Sequence, residues 1–268
     1  MNDILSAIIL GIVEGITEFL PVSSTGHLIL VNQVIEFTGS FANQFDVIIQ
    51  LGAILSVIAY FWKRLSPFGK MEPARRSGIF DTWFKAIVGV VPALVLGFLL
   101  GDFIEEKLFN PVVVAITLVL GGILLIYIES KHSVPRITSV AELKYSTILW
   151  IGLIQCLAMV PGTSRSAATI IGAMLLGSSR LVAAEFSFFL AIPTMVAASG
   201  YTLLKAGFDM SSHQLLVLAT GFVVSFFTAW LVIAAFMKFI SRHDFKGFGI
   251  YRIILGVAVL GYFILHGF

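Results

Sequence analysis

The sequence predicts an all-α integral membrane protein in which six transmembrane helices and two re-entrant helix hairpins form an inverted-topology repeat. Three observations predict it. Mean hydropathy is +1.00, with 58% hydrophobic and only 12% charged residues, far from the balance of a soluble domain. Six windows are long and apolar enough to cross a bilayer. Two further apolar stretches are cut mid-length by a proline, small hydroxyl residues and ionisable groups, which are expensive in lipid and mark functional positions there.

The first broken stretch covers 4–36 and is cut near Pro21. Crossing ~30 Å of hydrocarbon takes ~20 apolar residues, and spans follow at about 44–62, 82–101 and 111–129. The second broken stretch covers 146–176, is cut near Pro161, and precedes spans at about 181–204, 213–239 and 249–267. The segments after each proline hold ~10 residues, enough to reach halfway across at ~1.5 Å per residue. Both stretches therefore read as hairpins whose tips lie at membrane depth, under cover of protein or a wet cavity. Residues 1–268 form one polytopic domain with halves at about 1–129 and 146–268. Aligning Pro21 with Pro161 puts Ser24 on Ser164 and Thr25 on Arg165, and Phe45 near Phe186.

Charge placement sets the orientation. Lys63, Arg64, Lys70, Arg75 and Arg76, then Lys131, Arg136 and Lys144, then Lys238, Arg242 and Lys246 lie in loops on one side, whereas 101–110 carries Asp102, Glu105 and Glu106 with only Lys107. The positive-inside rule makes the basic side cytoplasmic. The first hairpin and both termini then open outside, and the second hairpin enters from the cytoplasm. The start, Met1-Asn-Asp-Ile4, lacks the basic character of a signal peptide, so the first apolar segment is expected to be retained. A lone Cys156 excludes an intrachain disulfide and a thiolate metal site. The net charge of +2 points to no partner, and 24 phenylalanines suit a lipid-facing surface better than nucleic-acid binding.

The chemistry sits at the breaks. Glu14 and Glu18 are four apart, one above the other on a helix, a spacing that can hold a hard divalent cation or share a proton. Pro21 stops one helix, and Ser23 or Ser24 is a natural N-cap for the next. A helix start inside the membrane offers unpaired amides and a positive dipole end to an anion, so Ser23, Thr25 and Gly26 are candidate substrate contacts. Ser24 and His27 share a face of the first turn, as a nucleophile and its base would. Arg165 brings a fork that matches phosphate oxygens, with Ser164, Ser166 and Thr169 as further hydroxyl donors. Pairing of Arg165 with Glu14 or Glu18 is the plain structural alternative. Gln50 and Gln155 face the cavity or join helices, Glu185 suits a structural pair, and Arg252 reads as snorkelling from a helix end. His132, His213, His243 and His266 read as surface residues.

The two motifs carry a resemblance. Glu14-x-x-x-Glu18, Pro21-Val-Ser-Ser-Thr-Gly-His27 and Pro161-Gly-Thr-Ser-Arg-Ser-Ala-Ala-Thr169 stand complete, and the chain is similar over its whole length to the bacterial undecaprenyl-diphosphate phosphatase family of the bacitracin-resistance type. Glu185-Phe-Ser-Phe and Tyr251-Arg252 extend the likeness. The resemblance implies removal of the terminal phosphate of undecaprenyl diphosphate, a polyprenyl diphosphate lipid, giving the monophosphate carrier of cell-wall synthesis. It implies a divalent cation, Mg²⁺ or Ca²⁺, a bacterial cytoplasmic membrane, a site open to the periplasm, and resistance to bacitracin, which binds the diphosphate lipid. It also allows a homodimer. Glu14 and Glu18 would hold the cation, Arg165 and the helix-start amides would stabilise the phosphoryl group, and Ser24 would attack with help from His27. Direct attack by water activated by His27 or Glu18 is the open alternative. Two other functions compete: a lipid-phosphate transporter or flippase, which shares broken helices and inverted repeats, and a metal-free two-histidine phosphatase. The latter needs a second histidine at the site, and the next one, His213, lies 48 residues after Arg165.

Overall fold

The computed structural model describes residues 3–131, 134–206 and 210–266, all helix, turn and loop with no strand among them; His132 and the side chain of His266 lie outside the described residues. It is an all-α integral membrane protein. Six helices are long and apolar enough to cross a bilayer: α3 (Ser40–Tyr60), α5 (Pro73–Leu108), α6 (Pro111–Lys131), α9 (Arg180–Ala206), α10 (Ser212–Ile240) and α11 (Lys246–His266). They match the six expected windows. Helix α5 is much longer than expected, because its ends carry Arg75, Arg76 and Asp81 on one side and Asp102 and Glu106 on the other, polar turns that hydropathy does not count.

The two broken stretches form α1 (Asp3–Thr17) with α2 (Ser24–Ile35), and α7 (Tyr145–Gln155) with α8 (Arg165–Leu175). A single turn, α4 (Trp62–Leu65), follows α3. None of α1, α2, α7 or α8 exceeds 15 residues, short of the ~20 that a span takes. Helix α8 is buried from Ser166 to Met174, packed between α7 and α9 and touching α6. Helix α1 lies along α10, which also packs on α3, while α11 runs along α6.

Small residues permit the closest of these approaches, as is usual between helices in lipid. A Cβ on Gly15 would stand 2.6 Å from Thr228 Cβ and 2.9 Å from the Ser225 carbonyl oxygen, so α1 lies backbone to backbone against α10. The main core joins Phe19 of the first break to Phe61, Phe188, Phe189, Phe236 and Phe245, with Phe19 edge-on to Phe188 at 5.2 Å. This core locks the first break onto α9.

Candidate active site

Each break turns through a serine in a backbone region that L-residues avoid. Ser23 has φ 72° and Ser164 φ 70°, a conformation costing ~1–3 kcal/mol that persists only where surroundings impose it. Both serines cap the helix that follows. Ser23 Oγ accepts from the Gly26 amide at 3.3 Å, and Ser164 Oγ accepts from the Ala167 amide at 3.2 Å. The amides of Ser24 and Thr25 in one helix, and of Arg165 and Ser166 in the other, have no intrahelical acceptor by position.

This geometry corrects the expected register. The caps pair Ser23 with Ser164, and so Ser24 with Arg165, one residue off the proline alignment. The second turn has an extra residue between proline and cap (Pro161-Gly-Thr-Ser164 against Pro21-Val-Ser23), and Gly162, at φ 85°, absorbs it.

The breaks meet around a cavity of ≈ 150 Å³ lined by Glu18, Ser23, Ser24, Thr25, Gln50, Ser164 and Arg165, with Phe109, Met159, Pro161 and Met195 among its apolar walls. Glu18 is the junction. Its Oε2 accepts from Ser24 Oγ at 2.7 Å, and its Oε1 accepts from Arg165 Nη2 at 2.8 Å. Arg165 Nη1 also donates to the Ser187 carbonyl at 3.0 Å, its guanidinium carbon lies 5.8 Å over the Phe19 ring, and its buried Nε has no partner.

Other expected residues stand behind this wall. Glu14 is fully buried and does not line the cavity. No donor meets either of its carboxylate oxygens, but the Glu18 carboxyl is close enough to share a proton with it, and Asp46 lies within electrostatic reach. Nor does a donor meet Asn32 Oδ1 or Asp46 Oδ1, whose residues are joined by Asn32 Nδ2 to Asp46 Oδ2 at 2.9 Å.

His27 corrects a second expectation. Its Nδ1 meets the Ser23 carbonyl at 2.7 Å, and its Nε2 meets the Tyr251 hydroxyl at 2.7 Å. A carbonyl only accepts, so Nδ1 carries the proton of the neutral ring and Nε2 accepts from tyrosine. Both nitrogens are engaged away from Ser24, whose hydroxyl belongs to Glu18. Gly26, Ser166 and Thr169, expected to touch substrate, likewise support the wall from behind. The Gly26 amide is taken by the cap, Ser166 Oγ donates to the Leu20 carbonyl of the other break at 2.8 Å, and Thr169 Oγ1 bonds Ser187 Oγ at 2.6 Å.

Arg252 is a third correction. It is fully buried and does not snorkel. Its guanidinium donates to the carbonyls of Pro21 at 3.4 Å, Thr117 at 3.1 Å and Gly162 at 3.1 Å, and its Nε to Leu118 at 3.4 Å. The available signal was its place inside an apolar window, where a cation is costly. Sequence reasoning also missed Ser187 and Met195 as neighbours of Arg165, and Tyr251 as the partner of His27. Among the weaker candidates, Gln50 lines the cavity, Gln155 accepts from Thr194 at 3.4 Å, Glu185 pairs with Arg64, and exposed His213 meets Asp3 at 3.0 Å.

Comparison with known proteins matches residues 7–258 to the family described as Bacitracin resistance protein BacA. Undecaprenyl-diphosphatase 1 of Clostridioides difficile (strain 630) is 50% identical over 266 residues, covering 98% of this chain and 97% of that protein. Undecaprenyl-diphosphatase of Enterococcus faecalis is 49% identical over 265 residues, covering 96% of each. The Fusobacterium nucleatum protein of the same name is 52% identical over 261 residues, covering 94% of this chain and 98% of its own.

Proposed function

We infer that this chain, which belongs to the bacitracin resistance protein BacA family, is an undecaprenyl-diphosphate phosphatase that converts undecaprenyl diphosphate to undecaprenyl phosphate and inorganic phosphate. It is a membrane hydrolase, and by removing the lipid that bacitracin binds it contributes to resistance to that antibiotic. One observation carries the chemical reading: Glu18, Ser24 and Arg165 converge between two capped helix starts in a single small cavity. Transport is not favoured, since the relatives are named for hydrolysis.

In the mechanism we favour, Ser24 Oγ attacks the terminal phosphorus and passes its proton to Glu18 Oε2, with which it is already hydrogen-bonded. The bond from that phosphorus to the bridging oxygen breaks, and undecaprenyl phosphate leaves. The departing bridging oxygen takes the proton back from Glu18; water then attacks the phosphoserine and passes its proton to Glu18, which returns it to Ser24 Oγ as the serine oxygen–phosphorus bond breaks and phosphate departs. Arg165 and the amides of Ser24 and Thr25 stabilise charge on the phosphoryl oxygens. His27 holds the Ser23 carbonyl and so fixes the cap, a supporting role. Glu14 and Glu18 suit a hard divalent cation, because Glu14 presents two buried oxygens that no donor meets. Among the described residues no set of three or more His, Cys, Asp or Glu gathers as a metal cluster. When bound, Mg²⁺ or Ca²⁺ would supply positive charge to the diphosphate.

The breaks are read as tips of re-entrant hairpins in an inverted repeat of the halves 1–129 and 146–268. Matching serine caps at positive φ support this. The membrane is read as the bacterial cytoplasmic membrane, with the cavity open to the periplasm. In support, Phe109 of the α5–α6 connection lines the cavity, and that connection follows the acidic end of α5 with Asp102 and Glu106, opposite the basic loops. A homodimer is an expectation of the family likeness, checked by the mass of the solubilised protein.

The deciding experiment follows phosphate release from a long polyprenyl diphosphate by purified protein, with and without chelator, for wild type and Ser24→Ala. Release by wild type that chelation and Ser24→Ala each abolish is the expected result. Folded wild-type protein that frees no phosphate with added cation sinks the enzyme reading. Undiminished release by Ser24→Ala replaces the serine route with direct attack by water.

A further inference from the structure

A guanidinium buried in a membrane protein normally faces a carboxylate, because an unpaired buried charge is costly. Arg252 has no ion pair among the described residues, and its donors go to four backbone carbonyls instead. Two of those carbonyls occupy the same place in the two breaks. Pro21 lies two residues before the cap Ser23, and Gly162 lies two residues before the cap Ser164. Both caps hold the same strained φ and accept from the amide three residues on. One side chain therefore grips equivalent points of both turns that build the cavity.

The fold makes room for that grip. Helix α6 presents Gly121 to the guanidinium, and a Cβ there would come within 2.9 Å of Arg252 Cζ. The next turn of α6 reinforces it, since Thr117 Oγ1 donates to the Pro161 carbonyl at 2.6 Å while the Thr117 carbonyl accepts from Arg252. Helix α11 contributes twice: Tyr251 holds His27, and Arg252 holds the turns.

We propose that Arg252 is a positioning residue for phosphate release: by binding the Pro21 and Gly162 carbonyls together it sets the spacing between the two capped helix starts, and so the alignment of Ser24 with Arg165 across the cavity. The inference rests on the phosphatase reading above. A planar fork with several donors suits this task and a lysine ammonium does not, since a point charge cannot hold carbonyls on two sides at fixed angles. Its charge, uncompensated by acid, also adds positive potential behind the anion site.

The test compares wild type, Arg252→Gln, Arg252→Lys and Gly121→Ala as purified full-length proteins. Thermal unfolding in detergent is measured first, then kcat and KM for phosphate release from polyprenyl diphosphate with added cation. A small misplacement of reacting groups costs roughly 100-fold in rate, so folded Arg252→Gln is expected to lose roughly that factor in kcat with KM nearly unchanged. Arg252→Lys should recover roughly tenfold of it by restoring the charge without the fork. Gly121→Ala, which touches neither break, should lower kcat in the same direction by pushing on the guanidinium. Wild-type kcat in the folded fraction of Arg252→Gln, or of Gly121→Ala should the former not fold, overturns the inference even where unfolding temperature drops, because the arginine would then be a staple only. Wild-type protein that releases no phosphate overturns the reading of the cavity and this inference with it.

Discussion

Ser23 and Ser164 turn their chains at almost the same φ, 72° and 70°, yet the helix that follows begins with Ser24 in one break and Arg165 in the other. A shared backbone device thus delivers a hydroxyl from one side of the cavity and a cation from the other, and both reach the same carboxylate, Glu18. The settings differ as well. The second helix, α8, is buried along nearly its whole length, and Arg165 is clamped by Ser187 and Phe19. The first, α2, buries only Ser24, Gly26 and Leu28, and its His27 leans outward on Tyr251. The cap fixes where the first side chain of a helix points, and the identity of that side chain decides its role. A rigid cationic wall faces a less enclosed hydroxyl-bearing one.

The contrast can be broken most severely at the Ser24 hydroxyl. Ser24→Ala should lower kcat by ~10⁴-fold or more, the scale on which removing an attacking group acts, read as phosphate release by folded protein. On the cationic wall, Arg165→Lys keeps the charge but loses the fork that spans Glu18 and the Ser187 carbonyl, and a fall of ~10²-fold in kcat/KM is expected. A smaller effect tests the clamp behind it. Thr169→Val deprives Ser187 of its 2.6 Å partner and should cost ~1–3 kcal/mol of stability, the penalty of an unsatisfied buried hydroxyl, measured by thermal unfolding in detergent. On the looser wall, Tyr251→Phe removes one hydrogen bond to His27, worth ~1 kcal/mol, and should reduce kcat only severalfold. His213→Ala, at an exposed contact with Asp3, should leave phosphate release unchanged. A large loss there would restore the two-histidine chemistry.

The sequence made the six long helices legible because lipid imposes a length and a composition that few other constraints disturb. The breaks were legible for the complementary reason: a proline beside ionisable groups interrupts an otherwise apolar stretch, where such groups are costly and rarely stand without a task. What could not be read is tertiary. The partner of the Ser24 hydroxyl is set by how the turn from Phe19 to Val22 folds back, and local spacing favoured His27 over Glu18. The one-residue offset between the breaks depends on Gly162 absorbing a residue, which a proline alignment conceals. Arg252 was legible as a residue but not as an anchor, since its acceptors are backbone carbonyls and leave no complementary side chain in the sequence. Tyr251 and Ser187 acquire their roles only once α11 and α9 are docked.

The modest size of the cavity has a practical consequence. At ≈ 150 Å³ it is well below the ~300 Å³ at which pockets begin to enclose drug-sized molecules. Under the proposed function, a compact diphosphate headgroup would occupy it and the isoprenoid chain would stay outside. Inhibitor potency should therefore split into two separable quantities, anion fit inside and partitioning outside. Discrimination between long and short prenyl tails would then be a property of the lipid phase more than of the protein.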